Sequence, residues 1–492
     1  MTDLKEKAIY GMIWSAVERF GYMLIMFLSN LFLARLLSPD DFGLIGMILI
    51  FITIANIIVD GGFASALIQK KTINDRDYST AFYVNIIIAL FLYLLLYYSA
   101  PCISNFYKEP LLTFLLRVIG IVLLTNSLSV VQIAKIKREL NFKYLGIVSI
   151  VSSFLGCCLG VACAFCSLGV WSLVIQMLTI SLIRSIMLFV TSSWKPSCYF
   201  SIGVLKQQFS FGSMILLSNL IDTIYSNTLP LIIGRSFSSK TLGLYTQART
   251  LESVPNQTLT TIVGQVTFPI FSKLQDEPRK LLNGLRKTTR CLVYINFPLM
   301  ILLIIIADPL FRILYTEKWV EAVPFFQIAC LGGMLSSSIQ LNNSILLAQG
   351  FSKLFFFSRL VKQLLGFFLI LMIAFIGNLW WLMIVGTVLI PLLFLFVSIF
   401  YTRRVMPCYG FKEQILNIGD ILLISLLCGC ISYVLCDYVF LECIFIELCM
   451  KVVVYCLLYM LISRYFLVEE FQIFYNEIKQ LFVKLKSTKM HL

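Results

Sequence analysis

Residues 35–44 read RLLSPDDFGL and residues 235–244 read RSFSSKTLGL. Each sets an Arg ahead of a short polar turn, and each turn hands over to a Gly-Leu that opens a long apolar run. The two copies stand 200 residues apart. In the first, Ser-Pro-Asp-Asp ends one helix and caps the next, since a Ser side chain can accept from the first free amides of a helix. Both read as tight hairpins between paired helices, with Arg35 and Arg235 as anchors at a membrane interface.

The flanking runs decide the class. Hydrophobic residues make up 59% of the 492-residue chain, charged residues 13%, and mean hydropathy is +0.91. Water-soluble domains carry about 45–50% apolar and about 25% charged residues. Apolar stretches of roughly 20 residues, the length that crosses a bilayer core of about 30 Å, recur from end to end. The chain is expected to be an all-α polytopic membrane protein. Its first apolar run contains Glu18 and Arg19 and is not followed by a small-residue cleavage site, so it reads as an uncleaved span.

Hydropathy and turn signals place fourteen spans near 10–34, 42–68, 79–101, 111–133, 144–166, 169–193, 207–233, 243–270, 290–311, 323–347, 358–376, 379–401, 416–436 and 441–463. The middle of the eighth, RTLESVPNQTLTT, is polar enough for a loop and is kept as helix because it matches span two. Most of the 39 Lys and Arg residues fall in connections on the N-terminal side, such as QKKTINDRDY, AKIKRELNFK and SKLQDEPRKLLNGLRKTTR. The positive-inside rule then puts both termini in the cytoplasm. The net charge of +14 follows from that sidedness and from anionic lipid, with no nucleic-acid partner implied.

The hairpin repeat belongs to a longer one. Thr53, Asn56 and Asp60 share a helical face on span two, and Ser253, Asn256 and Thr260 repeat it on span eight. FYVN (82–85) is echoed by VYIN (293–296), and NFK (141–143) by FSK (351–353). Spans 1–6 (residues 1–200) and 7–12 (201–402) read as two parallel six-helix repeats, with two further helices and a basic tail over 403–492. An even number of spans per copy gives both the same orientation, as in parallel-repeat transporters.

Charges inside spans cost about 2.5–3.5 kcal/mol each at the bilayer centre on insertion scales, so they face partners or water. The chain carries Glu18, Arg19, Asp60, Arg117, Arg184, Asp222, Arg249 and Glu252. Asn219, Asp222 and Ser226 share a face of span seven, and Arg249, Glu252 and Asn256 a face of span eight. These residues are expected to wall a central polar cavity of spans 1, 2, 7 and 8, with Gln257, Gln265, Asn342 and Asn343 as further lining. Simpler readings stand beside this one. Arg117 and Arg184 could snorkel or pair structurally, and Arg249 with Glu252 could be an i,i+3 structural pair. Glu447 and Lys451 read as mutual neutralisation.

Enzymatic motifs are missing. There is no GxxxxGK[ST] phosphate loop and no Gly-x-Ser-x-Gly elbow. The single His, His491, and a lone Cys163–Cys166 pair do not make a zinc site. Most of the fifteen Cys read as small apolar packing residues. No catalytic residue, cofactor or metal is expected.

The stretch FLARLLSPDDFGLIGMILIFITIANIIVDGGFASALIQKK (32–71), with YGMIWSAVERF before it and DRDYSTAFYVN after it, resembles the bacterial polysaccharide transporter or Wzx-type oligosaccharide flippase family. That family is part of the multidrug/oligosaccharidyl-lipid/polysaccharide exporter (MOP) superfamily. The resemblance implies a bacterial inner-membrane flippase for surface polysaccharide, including lipopolysaccharide, biosynthesis. Its implied cargo is an undecaprenyl-pyrophosphate-linked oligosaccharide, moved from the cytoplasmic to the outer leaflet by alternating access. Membrane lipids, a polysaccharide polymerase and chain-length machinery are the implied partners. Arg side chains suit a pyrophosphate through charge-assisted, often bidentate bonds, so Arg19, Arg249, Arg117 and Arg184, with Asn56, Asn219 and Asn256, are the candidate substrate contacts. Asp60, Asp222, Glu252 and Glu18 are the candidates for ion coupling. Two rival readings are a cation-coupled multidrug antiporter of the same superfamily and a membrane glycosyltransferase or polymerase. A third is a non-transporting scaffold.

Overall fold

The computed structural model describes residues 2–70, 73–192, 194–275, 277–437, 443–466 and 469–472; the side chains of 2–9, 211, 262–266, 268, 269, 278 and 437 fall outside that description. The Gln265 side chain, His491 and the basic tail beyond 472 therefore lie outside the described residues. In chain order the helices are α1 (Thr2–Leu36), α2 (Pro39–Asp60), α3 (Phe63–Gln69), α4 (Asp75–Tyr107), α5 (Leu112–Ile119), α6 (Ile121–Arg138), α7 (Phe142–Phe165), α8 (Trp171–Thr191) and α9 (Ile202–Ser236). There follow α10 (Ser239–Lys273), α11 (Pro278–Ile305), α12 (Ala307–Tyr315), α13 (Val323–Ala348), α14 (Ser352–Ala374), α15 (Leu379–Ile384), α16 (Ile390–Val405), α17 (Phe411–Asp437) and α18 (Ile444–Phe466). A π-helical turn, Val385–Leu389, joins α15 to α16.

Among the described residues, twelve helical stretches are long and apolar enough to cross a membrane. They coincide with the expected spans 1–6 and 9–14. Helices α9 and α10 run 35 residues each but are not among the twelve; they carry Asn219, Asp222, Arg249 and Glu252. The polar middle of span eight is helical throughout, including Pro255. Packing divides the chain into two compact units, 1–246 and 247–492, with the boundary inside α10.

In unit 1, span two is not one continuous helix. It breaks after Asp60 at Gly61 (φ +52°) and Gly62 (φ +73°) before resuming as α3. Both residues occupy the left-handed region that glycine tolerates best. The break also lets α9 in close, because a Cβ on Gly62 would lie 2.4 Å from the Gly212 carbonyl oxygen. Asp60 is thus the last residue of α2 rather than a mid-helix group. The end of this hairpin packs on Phe63, Tyr78, Phe82 and Trp194; the Trp194 ring meets those of Tyr78 and Phe82 at 5.8 and 5.9 Å. Such aromatic pairs add about 0.5–1.5 kcal/mol beyond area burial. Lys70 pairs with Asp77 at 2.8 Å, and Arg138 donates to the Leu67 and Lys70 carbonyls at the end of α3.

In unit 2, α17 and α18 dock on α11 and α13 through polar pairs. Arg286 meets Glu413 at 2.7 Å, and Arg290 meets both Asp420 (2.7 Å) and Glu470. The Thr289 hydroxyl bonds the Tyr409 phenol, and Tyr294 bonds Ser463. Asn342 and Gln414 exchange two amide bonds of 3.0 Å, and Asn342 is buried. Asn342, expected as cavity lining, instead ties α13 to α17. Lys451 donates to Glu447 at 2.6 Å, the mutual neutralisation expected for that pair.

Candidate functional site

The two hairpins come together within unit 1. Ser38 caps α2: its hydroxyl accepts from the Asp41 amide, and Asp41 returns a carboxylate to the Ser38 amide, a capping box. Ser238 repeats the cap by accepting from the Thr241 amide at 3.1 Å. The Ser239 hydroxyl then donates to Asp40 at 2.8 Å. A Cβ on Gly43 would lie 1.8 Å from the Ser239 carbonyl oxygen, and one on Gly243 would lie 1.8 Å from that of Pro39. The contact is reciprocal at the repeat offset. Arg235 stacks over Phe106 at 5.0 Å.

Deeper in unit 1, the Asn126 amide donates to Asn56 at 3.0 Å and accepts from Ser181 at 2.7 Å, and Ser185 donates to the Thr125 carbonyl at 2.6 Å. Asn56 is therefore held by α6, which α8 braces in turn. Half-buried Glu18 accepts from Ser149 at 2.8 Å, while its neighbour Arg19 is exposed on another side of α1. Arg117 lies elsewhere: on short α5, it donates to the Tyr97 carbonyl and sits 4.5 Å over the Tyr97 ring. Arg184 is half-buried, and its Nε has no hydrogen-bond partner. Asn219 is exposed and Asp222 half-buried on α9.

Unit 2 builds the counterpart on α10. Glu252, 1% exposed, receives Arg249 at 3.2 Å and the Asn256 amide at 2.8 Å. In this position its carboxylate lies directly against Gly333, where a Cβ would come within 2.3 Å of Oε1. Asn256 in turn accepts from Ser336 at 2.6 Å. So Asn256 is held by Ser336 of α13 as Asn56 is held by Asn126 of α6. Arg249 is about half exposed (46%) beside this chain, with one face on Glu252. The i,i+3 pair is real, and it orients the guanidinium without burying it.

Sequence reading missed Asn126 and Ser336, although they stand at the same offset as NFK and FSK. It also passed over Asn85 and Asn296, both completely buried. Asn296 donates to the Gly333 and Met334 carbonyls and the Ser337 hydroxyl. Lys362 was missed as well: it is buried on α14 beside Asn343 and Ser398.

Comparison with known proteins gives the family. The family model described as "polysaccharide biosynthesis protein" matches residues 32–324. The chain belongs to that family. It is 29% identical to the teichuronic acid biosynthesis protein TuaB of Bacillus subtilis (strain 168), over 73% of this chain and 74% of that protein. It is 25% identical to the lipopolysaccharide biosynthesis protein WzxC of Escherichia coli (strain K12), over 88% of both. Among solved structures, the lipid II flippase MurJ in an inward closed conformation superposes with a TM-score of 0.73 at 14% identity, over 92% of this chain and 99% of that one. An inward-facing MATE multidrug transporter of the MOP superfamily superposes at 0.61, over 79% and 95%. The family member thus has a fold shared by MurJ and MATE transporters.

Proposed function

We propose that this family member is a secondary transporter that flips an undecaprenyl-pyrophosphate-linked oligosaccharide from the cytoplasmic to the outer leaflet of a bacterial inner membrane. The observation that carries this reading is the polar helix face built twice, Asn56 on Asn126 and Asn256 on Ser336. Such matched faces suit two parallel six-helix repeats, residues 1–200 and 201–402, that alternate access around one cargo. Counting α9 and α10 as spans gives fourteen, with both termini cytoplasmic and two helices appended over 403–492. The names of the relatives, concerned with teichuronic acid and lipopolysaccharide, support a glycan cargo.

Arg249, oriented by Glu252 yet still about half exposed, is suited to a pyrophosphate or sugar-acid group. Arg19 supplies a second cation on α1, and Arg184 a third with a free Nε. Asn56, Asn219 and Asn256 offer amides to sugar hydroxyls. Arg117, on the Tyr97 carbonyl, is the most peripheral of the proposed contacts. Asp60, Asp222, Glu252 and Glu18 remain carboxylates available for ion coupling. Opening to the outside requires the hairpin contact at Gly43 and Gly243 to part. A polysaccharide polymerase and chain-length proteins would take up the cargo once flipped.

Complementation of a flippase-deleted strain with Arg19→Ala and Arg249→Ala variants, expression checked, tests the assignment. Loss of surface polysaccharide with either variant is expected. Full restoration by both would remove these residues from the binding site, and uptake of an organic cation by vesicles would favour a drug antiporter.

A further inference from the structure

Lys362 is 4% exposed, ten residues into α14, which places it about 15 Å from the helix start, near mid-bilayer depth. Among the described residues its Nζ has two hydrogen-bond partners, the Asn343 amide oxygen of α13 at 3.1 Å and the Ser398 hydroxyl of α16 at 3.4 Å. Both accept. Ser398 has already committed its own proton to the Phe394 carbonyl at 2.6 Å. Two acceptors match the two N–H groups of a neutral amine and leave the third position of an ammonium unmatched.

Among the described residues, no carboxylate forms an ion pair with Lys362. Between Ala322 and Lys412 the sequence contains no Asp or Glu, and this stretch includes the described elements that pack chiefly on α14: α13, α15, the π-helical turn and α16. The ionisable groups those elements offer are Cys330 of α13 and Tyr401, Arg403 and Arg404 of α16; α14 itself adds Lys353 and Arg359. Lys362 feels the positive charge of Arg359 three residues earlier. One turn before it on the same helix face, the Ser358 hydroxyl is fully buried and has no partner, a place where water or a relayed proton can be received. The π-helical turn that packs beside α14 is a rare form of helix that is frequent at functional sites.

Resting on the transport reading above, we propose that Lys362 is the proton carrier of the cycle, alternating between ammonium and amine in the cage of Asn343, Ser398 and Ser358. A proton arriving from the outer side adds to the Nζ lone pair, and the ammonium releases it to water on the cytoplasmic side. The carrier is thus a base on helices that themselves carry no acid, and the carboxylates of α1, α2, α9 and α10 stand apart from it.

The test uses the full chain in proteoliposomes with undecaprenyl-pyrophosphate-linked oligosaccharide, an imposed pH gradient and an internal pH dye. Wild type is expected to flip the glycolipid at least about fivefold faster with the gradient and to take up protons. Lys362→Met and Lys362→Arg, checked for a single elution peak, are expected to lose both responses while slow flipping down a concentration gradient persists. Retention of gradient-driven acceleration and proton uptake by either variant overturns the proposal. If both variants misfold, Asn343→Asp decides: a carboxylate beside Nζ should hold the proton and flatten the gradient response, and an unchanged response overturns the proposal. Failure of wild type to flip the glycolipid under any gradient would overturn the transport reading and the carrier with it.

Discussion

Gly43 and Gly243 lock the two hairpins backbone to backbone, each leaving no room for a Cβ against the partner's chain. The contact is an obligatory close approach, since the atoms that would be struck are main-chain carbonyl oxygens that cannot rotate aside. Overpacking of this kind costs about 1–3 kcal/mol. Gly43→Val is therefore expected to separate the hairpins while the helices persist. Cross-linking between Asp40→Cys and Ser239→Cys, whose native side chains bond at 2.8 Å, measures it. High yield with the native Gly43 and a sharp fall when Gly43→Val is added is the expected pattern; equal yields would show that the hairpins do not depend on the glycine.

Glu252 is buried with two partners, of which Asn256 is the neutral one. Asn256→Ala removes that amide from the carboxylate and leaves the Ser336 hydroxyl only the Gly333 carbonyl. Leaving a buried polar group unmatched costs about 1–3 kcal/mol, which in a unit of this size corresponds to a Tm lower by roughly 2–6 °C. Asn56→Ala removes only the bond to Asn126 and is expected to cost less. Thermal unfolding in detergent gives the order.

Arg290 holds α17 and the 469–472 turn to α11 through Asp420 and Glu470. Removing one partner of such a pair strands the buried Glu470, which is 5% exposed. A double-mutant cycle over Arg290→Ala and Glu470→Ala is expected to give a coupling of about 1–3 kcal/mol, larger than that of the more exposed Arg286–Glu413 pair. Additive losses would mean that this pair does not help to hold the 469–472 turn on α11.

Burial pushes the Tyr409 phenol up to about 12, with the Thr289 hydroxyl pulling the other way. Tyr409 lies in the connection between α16 and α17. An unfolded Tyr releases its proton near pH 10, so between about pH 10 and 12 the unfolded state binds fewer protons than the folded one. Stability contributed by the neutral phenol is complete below pH 10 and is lost as pH rises through that window. Tyr409→Phe should be less stable at neutral pH and lack that part of the alkaline loss, as Tm against pH would show.

Much of this was legible in the sequence, for identifiable reasons. The cap at Ser38 follows from local side-chain chemistry, its counterpart at Ser238 from the repeat of the hairpin, and the Asn56 and Asn256 faces follow from helical periodicity. The break at Gly61–Gly62 was not legible, because glycines are common inside membrane helices and only the approach of Gly212 shows why two stand together. Lys362 was hidden by its neighbours: in FSKLFFFSRLVK (351–362) it reads as one more basic residue where an inner connection runs into span eleven, and its burial depends on α13 and α16. The bonds of Arg117 to Tyr97 and of Asn342 to Gln414 are likewise tertiary. They draw those two groups toward structural work that spacing alone could not reveal.

The most direct test of glycolipid transport is leaflet exchange in proteoliposomes, with undecaprenyl-pyrophosphate-linked oligosaccharide read out by its accessibility to an impermeant glycan oxidant. Purified wild-type chain should expose the internal pool within minutes, and Arg249→Ala should slow that exposure at least about tenfold without loss of folded protein. An internal pool that stays protected with wild-type protein, as in protein-free vesicles, would contradict the flippase account.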